Sequence, residues 1–164
     1  MILNQQKEVA LDLPAARVFA RRLRRVLRLG RRDFNVCFVN DREIERLNAA
    51  YRGIPRPTDV LSFPWHAGRA RSETAVANAE LLNFLGDVAI SAETARRNAR
   101  AEGHSTRNEI CWLILHGVLH LLGYDHERDR GEMTRLELVL REQLRITDLR
   151  VQRKQKRQAK SLHG

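Results

Sequence analysis

The sequence predicts an α/β (α+β) fold in which a small mixed β-sheet is flanked by helices. Short runs of β-branched and aromatic residues alternate with longer segments of helical periodicity. One helical segment, residues 105–123, is apolar on most sides, as expected for a helix at the centre of the molecule. The chain of 164 residues is 43% hydrophobic and 30% charged, which is typical of one folded domain with a substantial core.

The first half of the chain contains two helices and two strands, bounded by proline, glycine and capping residues. Pro14 suits the first turn of a helix that Gly30 ends, and Asp41 is positioned to cap the second helix. The predicted elements are a helix over 14–29, a strand over 34–39, a helix from Asp41, a loop over 52–57, a strand over 60–63 and an irregular polar excursion over 65–78.

The second half begins with a mostly apolar strand over 85–90, which predicts burial on both faces. Ser91 is expected to cap a helix that ends at Gly103. Ser105 caps the central helix, which Gly123 ends, and it carries His116 and His120. A last amphipathic helix over 128–144 completes the sheet-and-helix arrangement.

The charge distribution divides the chain into a body and a tail. The net charge is +10 and the pI about 10.9, which favours a polyanion partner, either nucleic acid or an anionic membrane surface. Residues 150–164 contain six basic and no acidic residues, so the body keeps a charge of +4. We therefore predict one folded domain over 1–149 and a disordered tail over 150–164, which either grips phosphates or only aids solubility.

Four further observations bear on compartment and surface. The chain shows neither a signal peptide nor an apolar run long enough to span a bilayer, which predicts a cytoplasmic protein without membrane partners. Cys37 and Cys111 are interpreted as packed thiols. His66, His104 and His163 are interpreted as ordinary surface residues. The arginines of the first helix either meet RNA or form a solvated face.

The stretch His116-Gly-Val-Leu-His120-Leu-Leu-Gly123-Tyr-Asp-His126 carries the chemistry. Two histidines four residues apart lie on one face of a helix, and a turn at Gly123 brings His126 back towards them. Three neutral imidazoles suit one Zn²⁺ per chain and leave a fourth position for water, as in catalytic zinc sites. Nickel and copper also accept such ligands.

The same histidine spacing occurs in the metzincin peptidases, where the residue after the first histidine is the glutamate base. Here that residue is Gly117, which argues against the peptidase mechanism. A phosphodiester substrate instead needs a cation near its nonbridging oxygens, and Arg52 is the candidate for this catalytic role.

Three segments together resemble the YbeY endoribonucleases. The histidine stretch is similar to that family's signature, as are Asn48-Ala-Ala-Tyr-Arg52-Gly with Pro57-Thr-Asp-Val-Leu-Ser-Phe-Pro64, and Leu85-Gly-Asp-Val-Ala-Ile-Ser91. The resemblance implies zinc ligation by the three histidines, a functional Arg52, and cleavage of single-stranded RNA. It places Asp59 and Asp87 in family motifs; we expect Asp59 to order the active-site loop and Asp87 to anchor a strand.

The resemblance also implies a role in ribosomal RNA maturation, at the 3′ end of small-subunit rRNA, and in ribosome quality control, with the ribosome or ribosomal proteins as partners. Two alternatives remain at this point. One is a metallopeptidase of metzincin-like spacing that lacks the glutamate base. The other is a non-catalytic, zinc-containing, ribosome-associated RNA-binding factor. The sequence assigns no general base.

Overall fold

A four-stranded mixed sheet organises the computed structural model, which describes residues 1–65 and 83–146. Four strands and five helices lie in these ranges. In chain order they are β1 (Ile2–Asn4), α1 (Leu13–Val26), β2 (Asp33–Val39), α2 (Asp41–Arg52), β3 (Val60–Pro64), β4 (Phe84–Ser91), α3 (Ala92–Glu102), α4 (Thr106–Leu121) and α5 (Glu132–Leu144). The predicted fold class is confirmed.

The strands are ordered β1-β2-β4-β3 across the sheet. Strand β2 pairs in parallel with both β1 and β4, whereas β3 runs antiparallel to β4 along one edge. Strand β1 was not predicted. It has only three residues, and its backbone hydrogen bonds are made to β2, more than thirty residues later. Three residues are too few to show the alternation of side chains by which a strand is predicted.

Helix α4 fills the centre of the main core, as its uniformly apolar surface predicts. Ile114, Leu115, Val118 and Leu119 are fully buried on it, among side chains of α1, α3, α5 and one face of the sheet. A smaller cluster on α2 and the facing strands contains Val39, Ile44 and Leu61. The sheet is thus covered by α2 on one face and by α4 with its neighbours on the other, because alternate side chains of a strand point to opposite faces.

Gly117 allows α4 to lie directly on the sheet. A Cβ at this position would stand 2.5 Å from Val88 Cγ1 and 3.1 Å from Val88 Cγ2. The Ser62 hydroxyl donates to the Gly117 carbonyl at 2.9 Å, which ties the same turn of the helix to β3. The residue after His116 therefore faces the sheet at a distance that leaves no room for a side chain.

The predicted caps are largely confirmed. Ser91 and Ser105 accept from the backbone N–H of Thr94 and Asn108, and Gly103 ends α3 in the left-handed conformation. The prediction for α2 was wrong by one residue, because Asn40 caps that helix. Asp41 is instead the acceptor for the hydroxyls of Ser91 and Thr94, each at 2.6 Å, and pairs with Arg97.

Several predicted boundaries and one surface residue are corrected. Helix α1 ends at Val26 rather than near residue 29, and α5 begins at Glu132 rather than 128. Asp129 accepts from the N–H groups of Gly131 and Met133, and these bonds hold the chain in turns up to the helix. His104 is not an ordinary surface residue: its side chain is nearly buried and lies 2.6 Å from a carboxylate oxygen of Glu109.

Other sequence-based predictions lie outside the described residues. These are the polar excursion after Trp65, the basic tail, His66 and His163. Among the helices of residues 1–65 and 83–146, none is long and apolar enough to cross a bilayer.

Candidate metal centre

Helix α4 brings two of the predicted ligands together. His116 and His120 lie one turn apart near its C-terminal end, and their Nε2 atoms are 3.2 Å apart. Both rings are half-buried, although the helix around them is almost fully buried. A turn of helix spaces the two residues, so their meeting follows directly from the sequence interval.

The third histidine reaches the site through a turn at Gly123, where φ is +96°. The N–H groups of Gly123 and Tyr124 donate to the carbonyls of His120 and Leu119, which is the Schellman pattern of a helix C-terminus. The exposed ring of His126 then lies 5.5 Å, centroid to centroid, from the rings of both helical histidines. The predicted role of Gly123 is confirmed.

The three imidazoles fit a metal ion. One nitrogen from each of His116, His120 and His126 lies within 4.8 Å of the other two. Tetrahedral ligands at a Zn–N distance of about 2.0–2.1 Å are about 3.3 Å apart, close to the observed 3.2 Å between the helical pair. The donor set, its convergence and its spacing therefore all suit a zinc-sized cation.

Glu137 of α5 orients His116, the first of the predicted ligands, and was not among the residues predicted for the site. One of its carboxylate oxygens lies 2.7 Å from His116 Nδ1, and the residue is 7% exposed. A carboxylate can only accept, so Nδ1 carries the proton and Nε2 presents its lone pair to the centre of the cluster. A signal did exist, because Glu137 falls on the same helix face as Met133 and Leu140 and is, with Arg141, one of two charged residues on that buried face.

His120 is held in the form that binds metal. Burial lowers its pKa, and the neighbouring His116 and His126 lower it further. A neutral imidazole keeps the free lone pair that a metal requires.

The cluster opens into a cleft of about 730 Å³. Arg52 lines this cleft together with the three histidines, and its side chain is exposed. Arg52 was predicted to lie in a loop, and that prediction was wrong. The residue is the last one of α2, before Gly53 ends the helix with φ of +68°. The cleft is also lined by four acidic side chains, Asp59, Asp125, Glu127 and Glu137.

The two aspartates of the family motifs have different surroundings. Asp59 lines the cleft, accepts from Asn98 Nδ2 at 3.3 Å, and its carbonyl accepts from the Ser91 N–H. These bonds tie the segment before β3 to α3, in line with the expected ordering of the loop. Asp87 lies exposed on β4 and accepts from Asn35 of the adjacent strand at 3.1 Å, as an anchor between strands does.

Comparisons with known proteins identify the family of this chain. The family model described as Endoribonuclease YbeY matches residues 1–145. An endoribonuclease YbeY of Pelotomaculum thermopropionicum is 39% identical over 153 residues, covering 90% of this chain and 97% of that protein. One of Solibacter usitatus is 45% identical over 127 residues, covering 77% and 76%.

A solved structure has the same fold. The solution structure of a protein from Thermotoga maritima superposes with a TM-score of 0.57 at 27% identity, covering 88% of this chain and 89% of that one. The family model spans the sheet, the histidine cluster and Arg52 together. On these grounds the chain belongs to the YbeY endoribonuclease family.

Proposed function

We propose that the chain is a zinc-dependent, single-strand-selective endoribonuclease of ribosomal RNA maturation. It acts in the cytoplasm, at the 3′ end of small-subunit rRNA and in ribosome quality control, with the ribosome or ribosomal proteins as partners. Residues 1–149 form the hydrolase domain and the basic tail follows it. The observation that carries the proposal is the convergence of three imidazoles in a cleft that Arg52 also lines.

His116, His120 and His126 would hold the zinc ion, one per chain, and the cleft before them gives access to a fourth coordination position. When bound, zinc lowers the pKa of a coordinated water and polarises a phosphoryl oxygen. Glu137 fixes the tautomer of His116 and thereby directs its Nε2 at the ion.

Arg52 supplies the positive charge that a phosphodiester requires. Its guanidinium presents donors in a planar fork that matches two phosphate oxygens. Because the side chain is exposed at the cleft, it can meet an RNA backbone and stabilise the charge that develops on the nonbridging oxygens. We expect Arg52→Ala to keep the zinc ion and to lower kcat/KM for RNA by about 100-fold or more.

The packing of Gly117 argues against a metallopeptidase. In the metzincin spacing this position carries the glutamate base. Here even a Cβ would overlap Val88, and the backbone is bonded to Ser62. A carboxylate at residue 117 would point into the sheet instead of the cleft, so the fold leaves no place for the peptidase base at this position.

A non-catalytic RNA-binding factor with structural zinc is the second alternative. Structural zinc sites are usually closed by four protein ligands. Here the cluster found among residues 1–65 and 83–146 has three histidines, one of them exposed, and it faces a wide cleft. That arrangement favours a catalytic ion.

The direct test joins metal content with cleavage. Zinc is quantified in the purified protein, and the same sample is assayed on single-stranded RNA and on a matching duplex, before and after prolonged chelation and zinc restoration. His116→Ala controls for contaminating nucleases. We expect about one zinc per chain and zinc-dependent cleavage restricted to the single strand. Undiminished cleavage by the metal-free protein would refute the metal role, and zinc without cleavage would favour the binding factor.

The ribosomal assignment requires a separate substrate comparison. A small-subunit rRNA precursor with an extended 3′ end is compared with an unrelated single-stranded RNA of equal length, each with and without small ribosomal subunits. Preferential cleavage at the 3′ end of the precursor is the expected result. Equal cleavage of both RNAs under all conditions would refute the rRNA assignment and leave the nuclease activity standing.

A further inference from the structure

Tyr51 is an exposed aromatic residue beside the candidate catalytic arginine. It is 70% exposed, which is the largest exposed fraction among the large hydrophobic side chains of the described residues. Single exposed apolar side chains are common on protein surfaces, so the neighbours of this ring decide whether it has a role. The next residue, Arg52, lines the cleft of the histidine cluster.

A second aromatic ring holds Tyr51 in place. Its ring lies 4.9 Å from that of Phe63, centroid to centroid, at an interplanar angle of 66°. Phe63 is itself partly buried against the small cluster that contains Ile44 and Leu61. This edge contact orients the tyrosine ring and leaves most of its surface free. An aromatic ring that is ordered before binding loses little conformational entropy when a ligand stacks on it.

The position of Tyr51 follows the edge of the sheet. Phe63 lies on β3, between Ser62 and Pro64, which both line the cleft. Strand β3 is an edge strand, and within residues 1–65 and 83–146 no further strand pairs with this side. Successive side chains of a strand point to opposite faces, so Phe63 lies on the α2 side, against Ile44, while Ser62 and Pro64 line the cleft. Tyr51 therefore lies on the α2 side of the edge strand, one residue before Arg52, whose side chain reaches the cleft. A strand of nucleic acid held by Arg52 and passing around the edge of β3 would reach this ring.

We propose that Tyr51 stacks against one unpaired nucleobase of the RNA, next to the phosphate that Arg52 contacts. This inference rests on the proposed function and names a base subsite for it. Stacking on an aromatic side chain contributes about 5- to 100-fold in affinity per base and requires an exposed base face. In a duplex the base faces are covered by neighbouring pairs, so the subsite contributes to selectivity for single strands.

The competing explanation is that Tyr51 only shields Phe63 from water. Two substitutions separate these roles. Tyr51→Phe keeps the aromatic face, whereas Tyr51→Leu keeps an apolar group over Phe63 without a π face. Stacking predicts that Phe preserves RNA affinity and Leu does not. Shielding predicts that both preserve it. Val18→Ala, at an exposed apolar position of α1, serves as the control for surface changes.

The experiment measures binding and cleavage on the same zinc-loaded proteins. Binding of a labelled, single-stranded 2′-O-methyl oligouridine is followed by fluorescence anisotropy, using the parent oligonucleotide and a set with one abasic site at successive positions. We expect Tyr51→Leu to weaken binding of the parent by about 5- to 100-fold. An abasic site at one position should weaken binding to wild type by a similar factor. Tyr51→Leu should bind that same abasic oligonucleotide as tightly as it binds the parent. KM for cleavable RNA should rise, while zinc content and kcat stay near those of wild type.

Two results would overturn the base subsite. One is that Tyr51→Leu binds the parent oligonucleotide as tightly as wild type does. The other is that the substitution lowers affinity by the same factor for the parent and for every abasic oligonucleotide. The proposed function fails independently, if wild type binds the parent oligonucleotide but never cleaves RNA in a zinc-dependent way. Thermal unfolding of each variant is recorded alongside. If both Tyr51→Phe and Tyr51→Leu lose RNA affinity in proportion to their loss of thermal stability, Tyr51 has a structural role and the subsite is refuted.

Discussion

Gly117→Ala is the substitution that most directly tests how the fold positions the turn of α4 that carries His116. Judged by helix propensity alone, it should stabilise α4 by about 1 kcal/mol, because alanine is a better helix former than glycine. The added Cβ, however, would lie 2.5 Å from Cγ1 of Val88, whose side chain is fully buried. The two effects have opposite signs, and the packing decides which is larger.

The magnitude follows from this overlap. Carbon atoms pack best about 3.5–4.0 Å apart, so the helix or the strand must move by about 1 Å. Overpacking a core costs about 1–3 kcal/mol. We expect the upper part of that range, since valine in a strand is stiff at χ1 and both elements are central to the core. After the propensity gain, Gly117→Ala should lower the free energy of unfolding by about 1–2 kcal/mol.

Urea unfolding followed by circular dichroism measures this change, with chelator present so that metal binding does not contribute to stability. The matched background is Val88→Ala, which removes both contacting methyl groups. There, Gly117→Ala should become neutral or stabilising by up to about 1 kcal/mol. Equal destabilisation in both backgrounds, or stabilisation in the wild-type background, would show that the contact with Val88 does not determine the requirement for glycine.

Three further predictions concern single side chains. Glu137→Gln should weaken zinc affinity about 10- to 100-fold in a competition titration, because the His116 tautomer is no longer fixed; an unchanged affinity would remove this positioning role. Burial raises the pKa of Asp41, but hydrogen bonds from Ser91 and Thr94 and the pair with Arg97 outweigh burial and lower it. Its stabilising contribution is therefore complete above the unfolded-state pKa and is lost as the pH falls through the lowered folded-state pKa. Between about pH 5 and about pH 3, wild type should lose more stability than Asp41→Asn, and parallel curves would contradict this. Burial raises the pKa of the Cys111 thiol to about 11, so it should react with a thiol reagent slowly in the native protein and fast in urea; equal rates would show an accessible thiolate.

The convergence of His116, His120 and His126 could be predicted from the sequence because their geometry is local. The interval of four residues within a helix and the glycine turn after it determine where the three imidazoles meet, whatever surrounds them. The same holds for the caps at Ser91 and Ser105. It also holds for the central position of α4, because a helix that is apolar on most sides is expected to be buried.

The remaining site residues depend on contacts between distant segments. Glu137 meets His116 only because α5 packs across α4, and 21 residues separate them. Arg52 was a candidate because a phosphodiester needs a cation, and the family resemblance supported it; its presence in the cleft results from α2 lying beside the edge strand. His104, which is not a site residue, was misjudged for another reason: its side chain pairs with Glu109, a carboxylate that α4 buries completely.

By itself, the sequence determined the chemistry that this protein can perform: a triad of imidazoles, an arginine in a recognisable motif, and a glycine where peptidases carry their base. The tertiary structure decided which partners these residues have. Backbone propensity acts over a few residues, whereas packing brings together segments that are far apart in the chain. Packing between distant segments produces three features of this protein. Glu137 orients His116, Val88 leaves no room for a side chain at residue 117, and the ring of Tyr51 lies exposed next to Arg52.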